Sequence, residues 1–196
     1  LKMKHSGWML AEIDSSRHAK LYQWNGQTHE PVEWYGLATW PDGDLRTSVD
    51  ELSRYLVAMM NGGEWQGSRI MQRETVERMF APQFAAGMRL AGVQEEQGHR
   101  QAMGWGYQQQ ESGHDLLGHG GGDPGVATWA YFFPATLTGV ILFVNTSSGD
   151  EAFNRAFVAL VKALSQAALD TGVSSMTSLL PMIEVEEAPG AGREEQ

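Results

Sequence analysis

The chain of 196 residues contains no cysteine. That excludes disulfides, thiolate metal ligands and a cysteine nucleophile, and is compatible with both a periplasmic and a cytoplasmic location. Positive charge is scarce: 14 Lys and Arg face 24 Asp and Glu, for a formal charge of −10. An acidic chain repels phosphate backbones, which argues against nucleic acid as a partner. Long apolar runs are also missing. Residues 126–144 and 153–169 come nearest, and both are broken by polar residues or patterned like an amphipathic helix, so no membrane span is expected. The opening Leu1-Lys2-Met3-Lys4 has neither an initiator Met nor the apolar core of a signal peptide. Its abruptness suggests a piece of something longer.

What remains is an ordinary globular balance, 42% hydrophobic and 19% charged, with an expected division into three parts. Residues 1–100 read as helical and loop-rich, 101–172 as antiparallel strands with a closing helix, and 173–196 as an extended, partly disordered acidic tail. Within the first part, residues 8–13 and 21–24 are β-like, and Asn25-Gly26 suits a two-residue hairpin turn. Residues 34–40 are aromatic and expected to be half buried. Ser48 followed by Glu51 is a capping box. It opens a helix through Val49, Leu52, Leu56 and Met59 that Asn61-Gly62-Gly63 should stop. Residues 72–80 suggest a second helix burying Val76, Met79 and Phe80, and 81–100 an irregular connection. Strands are expected over 103–108, 115–117, 126–133 and 138–145, with a turn at 134–137. A helix over 150–169 should lay Phe153, Phe157, Leu160, Leu164 and Ala167 on the sheet. Helices and strands are segregated, so the class is α+β: an antiparallel sheet flanked by a C-terminal helix.

The richest segment is Leu117-Gly118-His119-Gly120-Gly121-Gly122-Asp123-Pro124-Gly125. Gly120, Gly122 and Gly125 match the dinucleotide pattern G-x-G-x-x-G, but that pattern needs a following helix, and residues 126–133 are strand-like. His-Gly-Gly-Gly also occurs as an oxyanion loop in α/β-hydrolases, but the Gly-x-Ser-x-Gly elbow of that fold is missing. His114 and His119 lack the spacing of a zinc site, and no third ligand is apparent. The fourth reading is a strand lining the pocket of a penicillin-recognising serine hydrolase.

Four segments carry that last reading. Leu1-Lys2-Met3-Lys4-His5-Ser6-Gly7-Trp8 resembles a family segment L-G-M-K-x-T, with Lys2 where glycine is usual. Residues 40–52, with Pro41, Gly43, Leu45, Ser48, Asp50 and Leu52, resemble P-x-G-G-L-x-S-T-x-x-D-L, with Asp44 in place of one glycine. Met103-Gly104-Trp105-Gly106-Tyr107 resembles Y-G-x-G-W. His119-Gly120-Gly121 stands where relatives have Lys-Thr-Gly, His-Thr-Gly or His-Gly-Gly. Together they resemble the C-terminal part of the serine β-lactamase-related family, which includes class C-type β-lactamases, D,D-peptidases, D-aminopeptidases and esterases. The resemblance spans about residues 1–169 and implies a partial β-lactamase/transpeptidase-like fold.

It also implies acyl transfer: a serine attacks, a lysine one turn away takes its proton, and two N–H groups hold the oxyanion. The four lysines follow no Ser-x-x-Lys, and neither Tyr-x-Asn nor Ser-x-Asn occurs. By resemblance, His119 would face a leaving group or substrate carboxylate, and Gly122 would donate an oxyanion N–H. Gly120 and Gly121 would admit the substrate backbone, and Asp123 would line the pocket or cap a turn. Trp105 and Tyr107 read as core, Ser48 as a helix cap, and Asn145 as a cleft residue or a cap of the closing helix. The expected partners are a small-molecule ester, amide or peptide, and either a missing N-terminal half or another copy at an open sheet edge. No metal or cofactor is implied. Two functions compete: part of a serine hydrolase, probed by nitrocefin, acyl esters and D-amino acyl amides, and a non-catalytic binding or assembly module.

Overall fold

The computed structural model describes residues 1–84, 100–147 and 149–179. Two short 3-10 turns, Leu10–Glu12 and Ser15–Arg17, precede β1 (Leu21–Trp24) and β2 (His29–Val32). Helix α1 (Val49–Met60), a small hairpin of β3 (Glu64–Trp65) and β4 (Ser68–Arg69), and α2 (Arg73–Phe80) follow. Then come β5 (Arg100–Gln101), β6 (Gly106–Gln109), β7 (Asp115–Asp123), β8 (Val126–Phe133) and β9 (Thr138–Val144). Strand β10 (Thr146–Ser147) and helix α3 (Glu151–Leu179) close the chain. Strands β5 to β9 form one antiparallel sheet in sequence order.

Two elements of the front half depart from expectation for local reasons. Residues 8–13 form a turn because the Glu12 carboxylate accepts the Trp8 and Met9 N–H groups at 2.8 and 3.0 Å. The β1–β2 pairing starts at Trp24↔His29, so the connection has four residues, 25–28. Asn25 Oδ1 accepts the N–H of Gln27 and of Thr28, each at 2.9 Å, and folds the loop as an Asx turn. The outer edge of β1 takes β10 in parallel.

Helix α1 begins as expected, with Ser48 Oγ accepting the Glu51 N–H at 3.1 Å. The Glu51 carboxylate, however, does not turn back to Ser48. It is only 4% exposed, accepts the His5 N–H at 3.1 Å and takes the Ser6 hydroxyl at 2.5 Å. The first turn of the helix thereby holds the start of the chain.

The core has two halves, one on each face of the large sheet. Leu56 and Met59 of α1, Val76 of α2, Trp105, Leu117 and Phe132 form one. Leu116, Tyr131 and Phe133 meet Leu169 of α3 in the other. Adjacent residues of β7 and β8 thus serve opposite layers, as the two-residue period of a strand requires. Burying Phe132 and Phe133, each at most 2% exposed, contributes about 1.5–3 kcal/mol apiece. This is the expected α+β architecture, in three layers.

Helix α3 runs ten residues past its expected end, so residues 173–179 of the supposed tail are helical. Phe153, Phe157, Val161 and Leu164 are half-buried and Ser165, Leu169 and Gly172 buried, whereas Leu160, 44% exposed, and Ala167 face outward. Close approach at Gly172 sets this rotation: a Cβ there would stand 2.5 Å from Thr136 Cβ in the β8–β9 turn. The helix is capped by Asp150 Oδ1, which accepts the Phe153 N–H at 2.7 Å. Residues 85–99 of the expected irregular connection and 180–196 of the tail lie outside the described residues. Among the described residues no helix is long and apolar enough to cross a membrane.

Candidate active site

Composition places a strand over 115–117 only, yet β7 continues through the whole glycine stretch to Asp123. Pairing with β8 carries it there, from Leu117↔Phe132 to Asp123↔Val126. Pro124-Gly125 is the two-residue turn between them. Proline presets the first turn position and Gly125, at φ +83°, takes the second. Gly118 is required for close approach. A Cβ there would lie 2.2 Å from Ala130 O and 2.4 Å from Tyr131 Cγ. The Tyr131 ring fills that space, stacked on Trp129 at 4.0 Å.

On its other side β7 outruns its neighbour. Pairing with β6 stops at Gly106↔Gly118. The Gln110 N–H donates to His114 O at 2.8 Å, so bonded pairs on this side fall at 110 with 114, 108 with 116 and 106 with 118. By the same alternation Gly120 and Gly122 direct their N–H and C=O groups the same way, beyond the end of β6. Tyr131 is consistent with this. Burial pushes its hydroxyl titration up, and the Gly120 N–H partly opposes that. Among the described residues Gly122 therefore presents an unpaired strand edge, and a Cβ on it would meet nothing within 4 Å.

His119, Gly121 and Asp123 share the sheet face of Leu117, the face toward α1. Their cross-strand partners Ala130, Thr128 and Val126 continue it, and Phe143 of β9 lies beyond Thr128. This face floors an open cleft of about 1750 Å³, walled by the first residues of the chain, the 41–48 segment and the start of α1. All five predicted site residues, His119 to Asp123, line it, and His119 is exposed. Trp105 lines it from Gly104 onward while remaining core, edge-on to Phe80 and Phe132. Asn145 also reaches the cleft, but its amide donates to Lys20 O at 2.9 Å and does not cap α3. Trp34 and Trp40, expected to be half buried, stand about two fifths exposed near the rim.

Geometry bears on two of the alternative readings of the glycine stretch. A strand, not a helix, follows Gly125. The His114 ring stands edge-on to Phe133, on the α3 side of the sheet, whereas His119 opens on the cleft. Among the described residues no His, Asp or Glu group is arranged to hold a metal ion.

At the Asp123 end the electrostatics are set by residues that motif reasoning passed over. The Arg46 guanidinium is largely shielded from solvent and paired with Asp44 Oδ1 at 2.7 Å. It also donates to Trp8 O at 2.6 Å, Asp44 O at 3.0 Å and Tyr35 O. Asp44 Oδ2 accepts the Leu37 N–H at 2.9 Å, so both carboxylate oxygens of Asp44 are engaged in holding this segment. The Tyr35 hydroxyl donates to Pro124 O at 2.9 Å. Its titration is pushed up by burial first and then by the negative charges of Asp123 and Asp44. Thr128 and Phe143 were also missed. A signal for them existed: a two-residue turn at 124–125 fixes the register that puts Thr128 opposite Gly121.

The sequence profile of the beta-lactamase family matches residues 1–164. No curated protein sequence matches the chain. Among solved structures, it is similar to the octameric penicillin-binding protein homologue from Pyrococcus abyssi, at 22% identity and a TM-score of 0.58. That match covers 74% of this chain and 31% of the homologue. D-amino acid amidase from Ochrobactrum anthropi SV3 aligns at 21% identity and a TM-score of 0.58, over 83% of this chain and 50% of the amidase. A penicillin binding protein from Bacillus halodurans gives 17% and 0.56, over 81% and 45%. The chain thus spans a third to a half of the length of these structures, and the likeness is one of fold.

Proposed function

Because the chain belongs to the beta-lactamase family, with the fold of its serine hydrolases, we propose that the β7 edge is one wall of an acyl-transfer site for an ester or amide. One observation carries this reading: on the side away from β8, residues 119–123 have no strand partner among the described residues, and with three consecutive glycines they leave the Gly122 N–H accessible at the cleft. An extended substrate adds to such an edge through main-chain hydrogen bonds. Its acyl oxygen accepts the Gly122 N–H, which holds the negative charge that develops when a nucleophile adds to the carbonyl carbon. His119 stands further back along the strand, on the leaving-group side. Histidine there in place of lysine favours ester, amide or peptide chemistry over β-lactams, whose carboxylate a permanent cation such as lysine suits better. The attacking serine and its lysine come from residues outside this sequence, because no Ser-x-x-Lys occurs within it.

The test is made on the product of the whole reading frame. A fluorophosphonate probe should label a serine in a Ser-x-x-Lys ahead of Leu1, and acyl esters or D-amino acyl amides should be turned over. Gly122→Pro removes the N–H while suiting an edge strand, and should cut kcat about 10²–10³-fold. A reading frame without that motif, or full turnover by Gly122→Pro, would refute the proposal.

A second reading rests on β9. Among the described residues its outer edge has no strand partner, and its sequence, Thr-Gly-Val-Ile-Leu-Phe-Val, carries neither charge nor proline. Such an edge templates pairing with another chain, as an assembly module would require. A stable monomer at high concentration would count against it.

A further inference from the structure

We propose that Asp123 makes this site selective for acyl groups bearing an ammonium close to the reacting carbonyl; the inference rests on the acyl-transfer reading above. Asp123 ends β7 on the cleft face, next to Gly122. Its carboxylate points toward the 41–44 turn, with Oδ2 3.9 Å from where a Cβ on Gly43 would stand.

Three observations make it a reader of charge. First, it forms no ion pair among the described residues. The neighbouring guanidinium, Arg46, is neutralised by Asp44 and gives three further N–H donors to carbonyl groups. Secondly, Asp123 is not consumed as a cap by the adjacent phenol, since the Tyr35 hydroxyl donates to Pro124 O. The charge of Asp123 is nevertheless felt there, because it raises the Tyr35 titration after burial has done so. Thirdly, Gly120, Gly121 and Gly122 place no side chain between Asp123 and a substrate lying along the edge.

The separation suits an ammonium one or two bonds from the acyl carbon. Asp123 directly follows Gly122, and a strand advances about 3.3 Å per residue, so a carbonyl bound at Gly122 is about one residue's length from Asp123. An α- or β-amino acyl group spans that gap, whereas a neutral acyl group leaves the carboxylate facing apolar atoms. A carboxylate-bearing acyl group is repelled.

The experiment compares a free-amine amino acyl p-nitroanilide with its N-acetyl counterpart, using the product of the whole reading frame. Wild type should favour the free amine. Asp123→Asn, of the same shape, should lower the ratio of the two kcat/KM values about tenfold or more, the worth of a hydrogen bond to a charged group. Asp123→Lys should move the preference toward a succinyl ester. A wild-type preference for the acetylated substrate, or a ratio that Asp123→Asn leaves unchanged, overturns the inference while the acyl-transfer reading stands. Turnover of neither substrate, with no serine labelled by the fluorophosphonate, overturns both.

Discussion

Replacing Gly118 by alanine tests how the cleft floor is held in place. At an unstrained strand position, Gly→Ala ordinarily stabilises a protein by about 0.4–1 kcal/mol, because it restricts the unfolded chain. Gly118 has no positive φ, so backbone entropy alone predicts a gain. The packing predicts the opposite. The new Cβ would stand 2.2 Å from Ala130 O and 2.6 Å from Tyr131 Cα, both main-chain atoms of β8. Main chain cannot swing aside as a flexible side chain can, so β7 and β8 must part by about 1 Å, with a loss of contacts that falls steeply with distance. Overpacking of this kind costs about 1–3 kcal/mol, and the strained Tyr131–Trp129 stack places Gly118→Ala at the upper end. With a urea dependence of about 1–3 kcal/mol per M, the midpoint should fall by roughly 1 M, followed by tryptophan fluorescence and far-UV circular dichroism. Gly122→Ala, whose Cβ meets nothing within 4 Å, should stay within about 0.5 kcal/mol of wild type. A Gly118→Ala midpoint equal to or above wild type would refute the argument that this glycine exists to let Tyr131 through.

Two further predictions concern the buried charges. Arg46→Met leaves Asp44 buried without its cation, and frees the carbonyls of Trp8 and Tyr35; it should cost about 3–5 kcal/mol, read as a fall in thermal midpoint, and a loss below 1 kcal/mol would contradict the role given to this pair. Glu51 supplies a pH dependence. Burial pushes its carboxyl titration up, but the Ser6 hydroxyl, the His5 N–H and nearby positive charge outweigh it, and the result lies below the ordinary 4.5. A depressed folded value means that the stabilisation is complete above about 4.5 and fades as pH falls through the lowered one. Glu51→Gln should therefore be less stable than wild type at pH 7, by about 1–3 kcal/mol, and the gap should close as the solution is acidified below 4.5. Parallel stability curves across that range would show that the carboxylate is not charged in the fold.

Short-range signals were the legible part of this fold. Ser48 and Asn61-Gly62-Gly63 bracket α1 to within a residue, and the apolar content of 126–133 and 138–144 marks β8 and β9. The candidate strand was singled out through motif resemblance, since composition alone ends a strand at Leu117. Glycine is a poor strand former. The stretch is extended because Pro124-Gly125 clamps it onto β8, and that is a tertiary effect. The rotation of α3 was misjudged for a similar reason. Leu160 looks as well suited to a buried stripe as Leu164, yet only Leu164 is half-buried, and the turn of the helix follows contact between Gly172 and a loop far back in the chain. Glu51 was read as a local capping residue, whereas its partners lie 45 and 46 positions away.

That last attachment bears on the order in which the molecule assembles. His5 and Ser6 have no place to dock until the first turn of α1 exists, because the acceptor they need is a side chain presented by that turn. The amino-terminal strap is therefore a late arrival: closing so large a loop is slow compared with helix growth. Until it closes, the cleft lacks the wall formed by residues 2–8, so the pocket is finished only when that strap comes to rest on α1.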